Sequence, residues 1–386
     1  MKVIYAQEEI PKLFTKAIFL AGPSPRDLDI LSWRPEAIRL LALLNYDGIV
    51  FNPEFRDREK AAREGFVRDK QIEWEEIALN MADCITFWVP RVLKGMPAFT
   101  TNDEWGVWKN LGKVVFGAPD YAEKVEYQQY YANKLGIKPH NNLVEVLKEA
   151  VDMVGEGAFR ENGERYVPVF IWNKSEFKNW YSSLKQAGNR LDKAKVVWSF
   201  WIENGVKVAF FWALHVDVYI AKEDRHKINE VVLSRPDIAT IVMYKLGKTL
   251  EETEIVLIRE FRSPVSNETG YVLEIPGGSS FKPVGDPVLL AADECHEETG
   301  LKVDASRIVM HNIRQMVSTL SAHKAHLFSV EITEKELAWL KAQQGIAHGV
   351  EADTERTYVE IMKLRDILDQ SLVDWSMLGM ILSVVR

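Results

Sequence analysis

A chain of 386 residues exceeds one ordinary domain, and a hydrophobic content of 47% is enough for two cores. The formal net charge of -8 excludes a general nucleic-acid binder, which needs a basic surface to displace counterions, and directs attention to a small polar ligand. Two cysteines in different halves, Cys84 and Cys295, no apolar signal core in residues 1–14 and no run of about 18 apolar residues together point to reduced thiols in a cytoplasmic protein without membrane association.

In chain order, residues 17–23 form an apolar run that meets Gly22-Pro23, a buried parallel strand ending in a turn. Ser32 precedes Trp33, Arg34 and Pro35, after which Ile38, Leu41 and Leu44 recur at helical spacing. A second strand over 48–51 ends in Asn52-Pro53-Glu54, and a charged helical stretch covers about 57–81. Asp83 opens a third strand over 84–89, and a helix beginning near Asn102 leads to a fourth over 113–116. This alternation predicts an α/β domain with a doubly wound parallel sheet, whose ligands lie at the carboxyl ends of the strands, after Pro23, Asn52, Pro90 and Gly117.

Residues 1–150 resemble the nucleoside 2-deoxyribosyltransferase-like family. The resemblance rests on Ile18-Phe19-Leu20-Ala21-Gly22-Pro23, on Ala82-Asp83 before an apolar strand, and on Thr101-Asn102-Asp103-Glu104-Trp105-Gly106. It implies that Glu104 attacks the anomeric carbon of a nucleoside or nucleotide, that Asp83 or Asp103 positions sugar or base, and that Gly22 lies in the substrate-side turn. A carboxylate suits that role because water or a second base can resolve the glycosyl-enzyme intermediate. Phe19 stands where the transferases commonly carry a tyrosine against the nucleophile, and residues 99–101 lack their usual glycine-threonine pair. The alternative for Glu104 is a charge in the first turn of its helix, where the dipole favours an anion.

Residues 151–199 read as a linker and packing segment, with polar turn clusters at 155–157 and 161–164, a strand over 167–172 and an amphipathic helix over 177–191. Trp172, Trp180, Trp198, Trp201 and Trp212 crowd this region, and packing accounts for them more simply than base stacking.

From residue 206 the pattern turns to strands, over 206–219, 229–233, 239–244 and 254–260, which suggests a mixed sheet. An acidic stretch over 292–301 follows, with Gly277 and Gly278 upstream. In a helix Glu294, Glu297 and Glu298 stand at i, i+3 and i+4 and share a face, where three carboxylates can gather around a divalent cation. Gly300 offers a left-handed stop, and Leu301 with Val303 could enter a strand.

Residues 200–386 resemble the Nudix hydrolases, and among them the ADP-ribose pyrophosphatases. The features that carry this are Glu230-Val231-Val232, the stretch from Ile258 to Arg262, the stretch from Leu273 to Gly278, and Glu294-Cys295-His296-Glu297-Glu298-Thr299-Gly300-Leu301. The resemblance implies an α/β/α domain with a mixed sheet, and Mg²⁺ or Mn²⁺ held by Glu294 and Glu298 with Glu297 assisting. Arg259 and Arg262 would clamp phosphates or the terminal ribose, Glu274 would orient the helix or sense the nucleotide, and Gly278 would border the phosphates. Glu351 or Glu355 would supply the general base, and Ser321 or His323 would touch phosphate from a substrate-side loop. No Cys/His set with zinc spacing competes with this oxygen-only ligation.

Two departures stand out. Asp293 occupies the position where the pattern carries arginine, and its charge beside three others should raise some of their pKa values. Counting back from Gly300 places Ser279 and Gly285 where glycine and glutamate belong, with Gly278 and Asp286 adjacent; Asp286 before Pro287 could instead be a helix N-cap with proline at N1. His296, on a different helix face, has a solvent or packing role, and a final helix over 367–385 should close the domain.

The expected protein is a bifunctional enzyme of nucleotide metabolism, cleaving or transferring an N-glycosidic bond in its first domain and hydrolysing an ADP-ribose-like diphosphate in its second. Its partner is a small-molecule nucleotide rather than a nucleic-acid polymer, and both resembled families imply a homo-oligomer. The alternative is a nucleotide-sensing or regulatory protein with little or no turnover.

Overall fold

The computed structural model describes residues 1–65, 67–204, 206–279, 286–350 and 355–386, excepting the side chains of residues 62, 64, 203, 204, 206 and 207. It is α/β throughout and separates into two compact units, Met1–Ser234 and Arg235–Arg386.

The first unit is built on a six-stranded parallel sheet in the order Lys2–Tyr5, Ile49–Asn52, Ala17–Ala21, Cys84–Trp88, Val114–Gly117, Pro139–His140. Every residue of Ala17–Ala21 and Cys84–Trp88 is buried, because helices cover both faces, and this is why they read as unbroken apolar runs. Ile18, Leu20, Val50, Cys84 and Val115 pack towards Arg34–Leu43 and Leu143–Val154. Phe19, Phe51, Ile85, Phe87 and Phe116 pack towards Arg68–Met81, Phe99–Trp108 and Glu126–Lys134. The charged stretch expected as one helix is two, Arg58–Glu64 and Arg68–Met81, because the chain turns at Gly65, whose φ is 73°.

The expected linker and the opening of the expected second domain belong to this first unit. Arg190–Asn204, Val206–Ile220 and Arg225–Ser234 form a three-stranded antiparallel sheet. Its Leu191, Ala194, Val196, Trp212, Leu214 and Val216 join the core of the parallel sheet together with Phe177 and Tyr181. The division therefore falls after Ser234, not at 150 or 200, and Glu230-Val231-Val232 lies on the first side of it. Val169–Trp172 is a helical turn where a strand was expected, since Pro168 starts it. Trp212 is fully buried, edge-on to Phe177 at 5.9 Å, as packing predicts.

The second unit is a mixed sheet in the order Val309–Gln315, Lys324–Glu331, Ile238–Lys245, Glu254–Phe261, Thr357–Lys363, Ala347–His348. Tyr271–Glu274 pairs with Glu254–Phe261, and Gly277–Gly278 pairs with Ile238–Lys245. The neighbours Ile238–Lys245 and Lys324–Glu331 run parallel, and the other pairings among the described residues are antiparallel. Ala239, Ile241 and Met243 face Ala291 and Cys295 of Pro287–Thr299 and Leu337 and Leu340 of Glu334–Gln343. Val242 faces the opposite layer, Leu364–Asp369 and Trp375–Val385. The closing helix expected over 367–385 is thus two, because Asp374 accepts the Met377 N–H at 2.8 Å and starts a new one. Leu301 and Val303 are buried without entering a strand; the next begins at Val309. Cys84 and Cys295 are both free and buried, and no helix among the described residues is long and apolar enough to cross a membrane.

Candidate functional site

The ends of Pro287–Thr299 fix which of its carboxylates turn inward. Asp286 accepts the Val288 N–H at 3.0 Å, Pro287 takes the first helical position, and Gly300 closes the helix at φ 77°, so Asp286 is the N-cap. Ala291 and Cys295 point into the core, and Glu298 is 1% exposed, whereas Glu294 is half-buried and His296 and Glu297 are exposed. The Glu298 carboxylate accepts the Gly277 N–H at 2.8 Å, and its carbonyl accepts the Thr357 hydroxyl at 2.9 Å. A Cβ on Gly277 would lie 2.6 Å from the Ala239 carbonyl oxygen, and one on Gly278 would lie 2.6 Å from Glu294 Oε1. Glycine at 277 lets this turn approach the strand backbone, and glycine at 278 leaves room for the Glu294 carboxylate.

Glu260 and Glu355 converge on Glu298, one carboxylate oxygen from each, all within 4.8 Å of one another. Glu260 projects from Glu254–Phe261, whose alternation turns it to the helix side and Arg259 to the other. Glu355 precedes Thr357–Lys363. Burial pushes Glu298 well above the ordinary carboxylate range, and Glu294, Glu355 and Glu260 add repulsion. Burial likewise raises Glu260 and Glu294 to about 7 each. Asp293 also raises Glu294, as its charge predicts, but after burial, Glu297 and Glu355. Carboxylates crowded against their own repulsion, with hard oxygen donors alone, are the chemistry of a divalent-cation site.

The neighbouring side chains take roles different from those expected of them. Arg262 is engaged by Glu274 and Glu260, at 2.7 Å each, so Glu274 and Arg262 orient Glu260 instead of presenting an open phosphate clamp. Arg259 lies on the other face, between the rings of Tyr271 and Tyr358 at 4.9 and 4.8 Å, with Nε on Glu360 at 3.2 Å. Glu297 is exposed, and the acidic cluster draws on one strand and on the residues leading into a second as well as on the helix. Ser321 is hydrogen-bonded to His323, whose pKa burial lowers, with Arg235 adding to the effect; Arg235 in turn donates to Ser279 at 2.7 Å. Glu351 and Gly285 lie outside the described residues.

In the first unit, the turn after Ala17–Ala21 is held from inside. A Cβ on Gly22, whose φ is 148°, would lie 2.1 Å from the Trp88 carbonyl oxygen. Arg34 is 1% exposed and donates to the carbonyls of Leu20 at 3.1 Å and Gly22 at 2.6 Å, to the Ser24 hydroxyl at 3.0 Å and to Glu54 at 2.8 Å. Glu104, half-buried on Phe99–Trp108, has its carboxyl pushed up to about 8 by burial and then by Glu75, while Arg34 pulls it down. Glu75, on Arg68–Met81, accepts from Gln71 at 2.7 Å and is itself raised by burial. Glu104, Glu75 and Arg34 thus share one electrostatic environment. Because the helix begins at Phe99, Glu104 lies in its second turn and does not cap the first.

Asp83 does not belong to this group. It lies at the amino end of Cys84–Trp88, the sheet edge opposite the strand ends that present Gly22. Its carboxylate receives Arg160 at 2.6 and 2.7 Å and the N–H groups of Ala17 at 2.9 Å and Val169 at 2.8 Å. Those four bonds make it a clamp on the fold. Asp103 is exposed and adds only a small push on Glu104, and Phe19 is a fully buried core residue. Three residues at these sites escaped the sequence reading. Strand alternation could have found Glu260 beside Arg259, but nothing local marks Glu75 or Arg34.

No protein-family model matches the chain, and a search of curated proteins found no match.

Proposed function

We propose that the chain is a bifunctional enzyme of nucleotide metabolism, whose second unit is a Nudix-type hydrolase of nucleoside diphosphate derivatives such as ADP-ribose. Its first unit cleaves or transfers an N-glycosidic bond in the manner of the deoxyribosyltransferase-like family. The observation that carries the reading is the convergence of Glu260, Glu298 and Glu355 beside the Gly277-Gly278 turn. Two of these carboxylates are buried, and all three offer hard oxygens, so the residues fit Mg²⁺ or Mn²⁺. When bound, such an ion neutralises phosphate oxygens and lowers the pKa of the attacking water. Glu260 and Glu298 would hold it. The Gly277 amide fixes Glu298, the Arg262–Glu274 pair fixes Glu260, and Glu355, the least buried of the three, accepts the proton of the attacking water.

In the first unit Glu104 attacks the anomeric carbon, the C–N bond breaks, and its electron pair leaves with the base. Glu75, a neighbouring carboxyl whose burial favours the protonated form, delivers the proton that the base needs. Water or a second base then releases the sugar from Glu104.

The test is a product panel. The protein is incubated with Mg²⁺ and deoxynucleosides, deoxynucleotides, NAD and ADP-ribose, as wild type, Glu104→Gln and Glu298→Gln. Diphosphate cleavage should vanish only in Glu298→Gln and base release only in Glu104→Gln. Saturable binding without product from any substrate would overturn the enzyme reading in favour of a nucleotide sensor.

A further inference from the structure

A cavity of about 680 Å³ opens in the first unit between Phe99–Trp108 and Glu126–Lys134. Asn102, Trp105, Gly106 and Lys109 line it, at the i, i+3, i+4, i+7 spacing of a single helix face. Glu104 lies roughly 200° round the same helix from Asn102 and is not among the lining residues. The cavity is therefore separate from the Glu104 site, and the inference does not rest on the reading of that site.

Four cationic side chains border it, Arg91, Lys109, Lys124 and Lys134, together with Tyr127 and Tyr131. No acidic side chain is among the described residues that line it. In a chain of net charge -8, that local concentration of positive charge favours an anionic ligand. Arg91 is 4% exposed and is positioned from several sides. It donates to the Lys124 carbonyl and to the Asn102 side-chain oxygen at 2.5 Å, and Gln128 holds that same oxygen at 2.7 Å. The Nε–H of Arg91 and the indole N–H of Trp105, also 4% exposed, have no hydrogen-bond partner among the described residues. An unsatisfied buried donor calls for a partner, and both of these belong to side chains that line the cavity. The rings of Tyr127 and Tyr131 meet at 5.1 Å with their planes inclined at 55°, and Lys109 Nζ lies 5.7 Å over Tyr131, so the exposed Tyr127 ring is the aromatic face that adjoins the cations.

We propose that this cavity binds a nucleoside monophosphate, its phosphate among Arg91, Lys109, Lys124 and Lys134 and its base on the ring of Tyr127. A bare phosphate would leave most of the volume and the Tyr127 ring unused. A neutral aromatic would make no use of the four cations, of which Glu126, outside the lining, acts on Arg91.

Hydrogen exchange on the full chain, in EDTA, tests this with AMP, adenosine and inorganic phosphate as separate probes. AMP slows exchange over 126–134, in wild type and Glu104→Gln alike, and adenosine and phosphate at the same concentration protect far less. Lys109→Glu/Lys134→Glu, two side chains outside the core, raises the AMP concentration for half-protection by at least about tenfold while leaving exchange of the unliganded protein unchanged elsewhere. Tyr127→Ala weakens AMP without altering the response to phosphate. Absence of AMP protection, protection equal in the double variant, or equal protection by inorganic phosphate would each overturn the proposal.

Discussion

Glu104 is a carboxyl held where its charge is disfavoured. Its pKa of about 8, raised by burial and then by Glu75, has consequences for both rate and stability. The nucleophile must be ionised while Glu75 keeps its proton, so kcat/KM for base release should follow a bell, one limb set by ionisation of Glu104 and the other by ionisation of Glu75. For stability the sign is opposite to that of the Glu104 limb. The folded chain holds this proton more tightly than the unfolded chain, so the contribution is full below about pH 4.5, declines as pH rises and is lost above about pH 8. Glu104→Gln should therefore stabilise the protein at pH 8, by on the order of 1–2 kcal/mol after allowance for solvent at a half-buried side chain, and change little at pH 4.5. Urea unfolding at the two pH values checks this. An equal effect at both would remove the electrostatic explanation.

At the scale of elements, Pro287–Thr299 and the clamp at Asp83 differ in how much of their role was legible. The helix carries its own punctuation: Asp286-Pro287 begins it, Gly300 ends it, and the Glu294/Glu298 spacing identifies its polar edge. The strands Ala17–Ala21 and Cys84–Trp88 were equally plain, because burial on both faces leaves an unbroken apolar run. What could not be read was set by distant partners. Glu260 joins Glu298 only because a strand brings it there, and the Asp83 partner Arg160 lies 77 positions away in sequence. Family resemblance assigned Asp83 to substrate, whereas geometry spends it on Arg160 and two backbone N–H groups. Removing one partner of a buried pair costs about 3–5 kcal/mol. Asp83→Ala should lose about that much in urea unfolding, while the base-release rate per folded molecule stays near wild type. Lost activity with unchanged stability would return Asp83 to the substrate site.

At the scale of the whole molecule, the chain divides into two compact units, each with its own core. The core of Met1–Ser234 extends through the three-stranded sheet, whose long strands resembled the start of the second domain because alternation alone does not say which core a strand faces. The core of Arg235–Arg386 sets the acidic cluster among a strand, a helix and the residues before Thr357–Lys363, with Glu297 exposed. Mg²⁺-dependent release of AMP from ADP-ribose by wild type, Glu260→Gln and Glu297→Gln tests the acidic cluster most directly. The expected result is a loss on the order of 10²-fold or more in Glu260→Gln and a rate within about threefold of wild type in Glu297→Gln. Full activity in Glu260→Gln, or a loss in Glu297→Gln as deep as in Glu260→Gln, would contradict the role proposed for the cluster.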